Sequence, residues 1–123
     1  MTTIIVAGDR HWDDLGLIRA ALEDVKPSVV IHGGAQGADY LAGRAAIALG
    51  IKVIVHFADW KTYGKAAGPI RNQLMLDQHP ETARLVAFHD WLDNSKGTRD
   101  MVARAKARGL PVSLYSHVGL DEF

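Results

Sequence analysis

The chain has 123 residues, of which 48% are hydrophobic and 23% charged, as is usual for globular proteins. We therefore expect a single domain spanning residues 1–123, and the composition excludes a disordered chain. Fourteen basic and fourteen acidic residues give zero net charge, which argues against nucleic acid as a partner, and the lack of cysteine excludes disulfides and thiolate sites.

The first half of the chain is predicted to alternate strands and helices. In order these are a strand at Thr3–Ala7, a helix that begins after Asp13 and Asp14 and ends at Pro27, a strand at Ser28–His32, a helix from Gly37 to Leu49 and a strand at Ile51–Phe57. The strands are β-branched apolar runs without polar alternation, which is typical of strands buried on both faces.

The second half continues the alternation after a longer connection. In order we predict a loop from Ala58 to Ala67, a helix that begins at Pro69 and ends near His79, a strand at Arg84–Phe88, a loop from His89 to Gly97, a helix from Thr98 to Gly109 and a strand at Pro111–Tyr115. There is no signal-peptide pattern and no apolar run near the roughly 18 residues of a membrane span, so we expect a cytoplasmic protein with no membrane partner.

Strands separated by single helices favour right-handed crossovers and a parallel sheet covered on both faces. The expected fold is a Rossmann-like three-layer α/β sandwich with a five-stranded, mainly parallel sheet. Such sheets bind ligands beyond the carboxyl ends of their strands, at the point where the strand order reverses. The loops that follow the first four strands are therefore the candidate functional region.

Glycine-rich segments open three of the predicted helices, at Gly37, Gly68 and Thr98. Such openings let backbone N–H groups approach an anion at the positive end of the helix dipole, although glycine also serves tight turns and close packing. Arg71, in the first turn of its helix, can pair with phosphate or carboxylate. Together the three openings favour a phosphate-bearing ligand. The spacing matches neither G-x-G-x-x-G nor the P-loop, which argues against NAD dehydrogenases and NTPases built on those motifs.

Four segments of the sequence resemble one protein family. Gly8-Asp9-Arg10 with Trp12, HGGAQGAD at 32–39, DWKTYGKAAGPIRNQLM at 59–75 and KGTRDM at 96–101 are similar to the YspA/YpsA-related branch of the SLOG superfamily, over roughly residues 3–115. The resemblance implies a Rossmann-like sheet and a ligand that is a nucleotide or nucleotide derivative such as ADP-ribose. The superfamily also contains the LOG phosphoribohydrolases and the DNA-processing protein DprA, but zero net charge argues against a single-stranded DNA ligand.

The comparison with LOG enzymes suggests an alternative function, cleavage of an N-glycosidic bond in a nucleoside monophosphate. Arg71 matches an arginine of those enzymes, and Gly97-Thr98 match the G-T of their PGGxGTxxE motif. The position of the catalytic Glu is Met101, and Asp100 lies one residue early, which turns its side chain by about 100° around the helix. If the chain is a hydrolase, Asp39, Asp59 or Asp100 would have to supply the carboxylate, with Arg71 as anion clamp.

The predicted ligand site gathers the polar and glycine residues of these loops. Its members are Gly8, Arg10, Gly33, Gly34, Ala35, Gly37, Asp39, Trp60, Lys65, Gly68, Arg71, Asn72, Gly97 and Thr98. In this scheme the glycines cradle phosphate, Arg10, Lys65 and Arg71 supply positive charge, Asp39 contacts a ribose and Trp60 forms an aromatic wall.

Several of these residues have a structural alternative. Arg10 could pair with Asp39, and Thr98 could serve chiefly as a helix N-cap. The three tryptophans could stack on a base, pack beneath the loops or form an oligomer interface. His32, His56 and His89 follow strands but lack metal-ligand spacing, so we predict no metal and no cofactor. Since LOG-type relatives build their sites near a subunit interface, a homodimer is expected.

Overall fold

A mostly parallel sheet forms the centre of the structure, a computed structural model that describes residues 2–123. The strands are β1 (Thr3–Gly8), β2 (Val29–His32), β3 (Lys52–Val55), β4 (Thr82–Phe88), β5 (Val112–Ser116) and β6 (Gly119–Glu122). The helices are α1 (Leu15–Val25), α2 (Ala38–Ala48), α3 (Trp60–Tyr63), α4 (Ala67–Gln78) and α5 (Lys96–Ala107), with short 3₁₀ turns at Gly64–Ala66 and Leu92–Asn94.

The strand order is β3-β2-β1-β4-β5-β6, and the first five of these strands are parallel to one another. This order confirms the Rossmann-like α/β sandwich and places the reversal of strand order between β1 and β4. The predicted count of five strands is one too low in the described residues, because β6 pairs antiparallel with β5. All four β6 residues, Gly-Leu-Asp-Glu, are exposed, so no buried apolar run marks this strand in the sequence.

Successive residues of the central strands pack against opposite helical layers. Ile4 and Val6 of β1 belong to a core shared with α1 and α2, whereas Ile5 belongs to a second core shared with α4 and α5. This alternation follows from the two-residue period of a strand. It explains why the central strand β1 is apolar along nearly its whole length, as expected from the sequence. Among residues 2–123, no helix has the length and apolar character needed to cross a membrane.

Two connections contain more helix than predicted. The expected loop over residues 58–67 contains α3, because the Asp59 carboxylate caps it by accepting the Thr62 N–H at 3.1 Å. Helix α4 begins at Ala67, so Pro69 is its third residue rather than its first. Helix α5 begins at Lys96, where the Ser95 hydroxyl accepts the Thr98 N–H at 3.2 Å. The N-cap of α5 is therefore Ser95, and Thr98 is a buried residue within the helix.

Candidate functional site

The loop after β1 and the start of α2 are joined into one structure at the carboxyl edge of the sheet. The Asp9 carbonyl accepts the N–H groups of Trp12 at 3.1 Å and Ala38 at 3.0 Å. A Cβ atom at Gly8 would lie 2.5 Å from the Ala38 Cβ and the Phe88 carbonyl, and one at Gly37, where φ is 76°, would collide with the Asp9–Arg10 backbone. Both glycines are required by this close approach and by the positive φ of Gly37.

Asp39 organises the glycine loop that follows β2. Its side chain is buried, and one carboxylate oxygen accepts the backbone N–H groups of Gly33 at 3.0 Å and Ala35 at 3.3 Å. Burial raises the pKa of Asp39 to about 6, against the lowering effects of these two N–H groups and of the Arg71 charge. Its bonds to the loop hold Gly33 to Ala35 in place.

Arg71 reaches the same loop from α4. One of its guanidinium nitrogens, Nη1, donates to the Gly33 carbonyl and, at 3.4 Å, to the His56 carbonyl, while Nε donates to the Asn72 side chain at 3.0 Å. The guanidinium lies so close to Gly33 that a Cβ there would collide with it. Burial lowers the pKa of Arg71 and the nearby Asp39 raises it. Arg71 therefore supports the loop. The N–H groups on its other terminal nitrogen, Nη2, have no hydrogen-bond partner among residues 2–123.

Asp100 lies between the two helices of the other layer. Its carboxylate accepts the Asn72 amide at 3.0 Å and pairs with Arg104, one turn along α5, at 2.9 Å. Met101, at the position of the LOG-type Glu, is 1% exposed and packs in the core. The described structure thus joins Arg71, Asn72 and Asp100 in one hydrogen-bonded series, and the partners of Asp100 are protein side chains.

Positive charge without a protein partner lies beside the start of α2. Arg10 is exposed and makes no hydrogen bond or ion pair with residues 2–123, so the anticipated pair with Asp39 is absent there. Gly37 is the N-cap of α2 and no side chain caps the helix. Within the described range, the backbone N–H groups of Gln36 and Gly37 have no hydrogen-bond partner. The Arg10 backbone packs against Gly37, so this cation leaves the chain beside the two N–H groups, and we call the region of Arg10, Gln36 and Gly37 the α2 anion surface.

The three tryptophans occupy different environments. Trp12 is buried, tilted against Phe88 and stacked on His117 with ring centroids 4.6 Å apart. Trp60 and Trp91 are 60% and 72% exposed. Trp60 lies near the start of α4, where its ring edge would be 3.5 Å from a Cβ at Gly68. Trp12 packs beneath the loops, whereas the other two present aromatic surface. Lys65 is exposed nearby in the chain, and Gly97 has open space around it.

The histidines do not converge on a common point. His32 Nδ1 accepts the Gly34 N–H at 3.0 Å and His89 Nδ1 accepts the Trp91 N–H at 2.9 Å, while His56 pairs with His79. In the part of the chain that the structure describes, no group of three or more His or acidic residues could hold a metal ion. Sequence reasoning missed His117, because its partners Asp14 and Asp90 are 103 and 27 residues away.

Two sequence comparisons relate this chain to known proteins. The model of a family described as YspA, cpYpsA-related SLOG matches residues 2–63, which run from β1 through α3 and include the α2 anion surface. The Gene 61 protein of Mycobacterium phage D29 is 36% identical over 122 residues, covering 91% of this chain and 94% of the phage protein. The similarity to the phage protein therefore extends over α4 and α5 as well.

Proposed function

Because this chain belongs to the YspA, cpYpsA-related SLOG family, we propose that it binds a nucleotide or nucleotide-derived phosphate ligand, of the ADP-ribose or NAD kind, at the carboxyl edge of its sheet. Membership of the family suggests a nucleotide-related ligand, and the α2 anion surface is the observation that supports a particular location. An uncapped helix start with free N–H groups stabilises a bound phosphate through hydrogen bonds and the helix dipole.

The remaining predicted residues have two kinds of role in this proposal. The floor of the site is formed by Gly33, Gly34, Ala35, Asp39 and Arg71. The Asp39 carboxylate holds the N–H groups of this loop, and the Arg71 guanidinium holds its Gly33 carbonyl. Arg10 contacts phosphate, with Lys65 as a second cation, and Trp60 stacks on the base. Stacking on an exposed aromatic ring contributes roughly 1–3 kcal/mol per base in single-strand binders, which is enough to select a nucleotide over free phosphate.

We propose binding without hydrolysis in preference to the phosphoribohydrolase alternative. A hydrolytic carboxylate has to approach the anomeric carbon or an attacking water. The Asp39 carboxylate is buried against the loop backbone, that of Asp100 is engaged by Asn72 and Arg104, and that of Asp59 caps α3. Each of the three carboxylates thus has a structural partner among the described residues, and we therefore favour binding without hydrolysis.

Thermal shift against AMP, ADP, ATP, NAD, ADP-ribose, cyclic ADP-ribose and ribose 5-phosphate tests the proposal. A ligand present at 100 times its Kd stabilises the native state by about 2.7 kcal/mol, which raises the Tm of a domain of this size by several degrees. We expect the shift to fall sharply in Arg10→Ala, whose side chain makes no contact that the fold needs.

The matched control is Lys52→Ala, which removes one exposed positive charge. Lys52 is the first residue of β3 and so lies at the amino ends of the strands, away from the α2 anion surface. A shift that is kept in Lys52→Ala and lost in Arg10→Ala supports the α2 anion surface. A shift equal in both variants would place the ligand elsewhere, and a flat panel would count against nucleotide binding. Chromatography of the same mixtures for free base reports on the hydrolase alternative.

We also propose that the protein is a homodimer. Trp60, Tyr63 and Trp91 are exposed at or near the carboxyl edge, and aromatic residues are enriched in protein interfaces. Sedimentation equilibrium at micromolar concentration should give twice the chain mass of 13.4 kDa. A mass of one chain would remove this part of the proposal without affecting the ligand site.

A further inference from the structure

His117 connects three segments around the point where the strand order reverses. It lies in the turn between β5 and β6, its Nδ1 is 2.7 Å from the Asp90 carboxylate, and its Nε2 is 2.9 Å from the Asp14 carboxylate. Asp14 ends the loop after β1 and caps α1, and Asp90 begins the connection after β4. The backbone N–H of His117 also donates to Asp90, at 2.7 Å. The His117 side chain thus links the loop after β1 and the loop after β4 to the β5–β6 hairpin. We call the space between these two loops, at the carboxyl ends of β1 and β4, the β1–β4 crevice.

The ring of His117 also covers an aromatic surface. It stacks on Trp12 with an interplanar angle of 14°, and the Trp12 indole N–H donates to the Asp14 carbonyl at 3.0 Å. Trp12 is 5% exposed, although it lies in the loop that carries Arg10. The stacked imidazole therefore lies over Trp12 at the position in the fold where Rossmann-like sheets usually admit a ligand.

We propose that the His117 turn is a pH-dependent latch across the β1–β4 crevice, closed when the imidazole is protonated and open when it is neutral. Only the imidazolium has two N–H groups, so only it donates to both carboxylates. After deprotonation one carboxylate loses its hydrogen bond from the imidazole, and two negative charges then flank a neutral ring. This inference concerns the hairpin itself and does not depend on the ligand proposed above.

The surrounding charges favour the closed latch because they stabilise the imidazolium. The groups that face the ring are Asp90 from the segment after β4 and Asp14 from the start of α1, and both raise the pKa of His117. Hydrogen bonds from Leu17 and His117 lower the pKa of Asp14, and those from His117, with a smaller effect of His89, lower that of Asp90. Since the pKa of His117 is raised in the folded state, its bonds are complete below pH 6.5 and are lost as the pH rises through the raised value.

An NMR titration of the full chain from pH 5 to pH 9 tests the latch. We expect the Cε1–H resonance of His117, assigned by its loss in His117→Gln, to titrate above pH 6.5. The indole N–H of Trp12 should shift with the same midpoint because its stacked neighbour changes charge. The heteronuclear NOE values of Val118 and Gly119 should fall on the alkaline side, as the turn becomes mobile.

Two variants complete the experiment. His11→Gln removes a neighbouring exposed histidine whose ring makes no hydrogen bond to residues 2–123, and it should keep every pH-dependent change. Asp90→Asn should move the His117 midpoint to lower pH without removing the Asp14 cap of α1. A His117 midpoint at or below 6.5, or NOE values of the turn that stay constant through the titration, would overturn the latch, and both are measured on the unmodified protein.

Discussion

The starts of α2 and α5 both contain a glycine, but they differ in packing and in capping. Both are glycine-containing openings that follow a parallel strand and suggested phosphate binding. At Gly37 a Cβ atom would collide with the neighbouring backbone, and the helix has no side-chain cap. At Gly97 a Cβ would meet nothing within 4 Å, and the Ser95 hydroxyl caps the helix.

A glycine before a helix can thus be required by packing or can belong to an anion site, and these two cases have to be distinguished. The glycines after β1 and β2 are explained by packing alone, so they are not in themselves evidence for a ligand. Unpartnered N–H groups occur at both starts among residues 2–123, at Gln36 and Gly37 before α2 and at Lys96 and Gly97 in α5. What distinguishes α2 is the absence of a side-chain cap beside the exposed Arg10. A search for anion sites in such folds should therefore ask which helix starts are uncapped, and not how many glycines precede them.

The largest expected effect contrasts Gly37→Ala with Gly97→Ala. Alanine at residue 37 combines a positive φ of 76° with collisions against the Asp9–Arg10 backbone, so we expect a loss of about 3 kcal/mol or more in the free energy of unfolding. Alanine at residue 97 lies in open space in the first turn of α5, where it should leave stability unchanged or raise it by up to about 1 kcal/mol. Urea unfolding of both variants measures the contrast, and equal losses would refute this explanation of the glycines.

Much of the fold was predictable, because its signals are local. The five parallel strands and the four main helices follow from apolar runs, proline and glycine, and the motifs around Gly8 and HGGAQGAD correctly indicated the family. The missed elements lack such signals: β6 is exposed and formed by pairing with β5, and α3 rests on a single capping aspartate. The prediction of Thr98 as the N-cap of α5 is wrong because the Ser95 hydroxyl, three residues earlier, has that role.

The positions of the candidate residues in the fold were predictable, and their contacts were less so. Strand order places Gly37 and Arg10 at the carboxyl edge, as expected from the alternation of strands and helices. The partner of Asp39 could not be read from the chain, because it is the backbone of its own loop rather than a side chain. The His117 latch is likewise invisible to pattern reasoning, since its two carboxylates come from distant loops.

Variants of Asp39 test the glycine loop that precedes α2. In Asp39→Ala the N–H groups of Gly33 and Ala35 lose their acceptor, and we expect a loss of about 2–3 kcal/mol in the free energy of unfolding. Asp39→Asn keeps an oxygen for both bonds and should lose much less. If Asp39→Asn still binds the ligand, the role of Asp39 is to support the loop. If a stable Asp39→Asn variant loses binding, the negative charge of Asp39 contacts the ligand.

The Asp39→Asn variant and the unmodified protein should also differ in how their stability depends on pH. The pKa of Asp39 rises from 3.8 to about 6 on folding, so ionisation in the native state opposes stability as the pH increases between these values. Asp39→Asn removes this effect, and its stability relative to the unmodified protein should therefore improve between pH 4 and pH 7, by something on the order of 2 kcal/mol. Urea unfolding at both pH values measures the change. Carboxylates with a lowered pKa, such as Asp14 and Asp90, act in the opposite direction but cancel in the difference.

The smallest expected effect is at Asp100, which lies beyond the capped start of α5. Its ion pair with Arg104 is only partly buried, and asparagine can still accept the Asn72 amide, so Asp100→Asn should change the free energy of unfolding by less than about 1 kcal/mol. Nucleotide binding should be unchanged, because the carboxylate belongs to the contact between α4 and α5. Isothermal titration with the best nucleotide of the panel measures this. A large loss of affinity in a stable Asp100→Asn variant would extend the ligand site across to α5 and revive the hydrolase alternative, since the carboxylate would then touch the ligand.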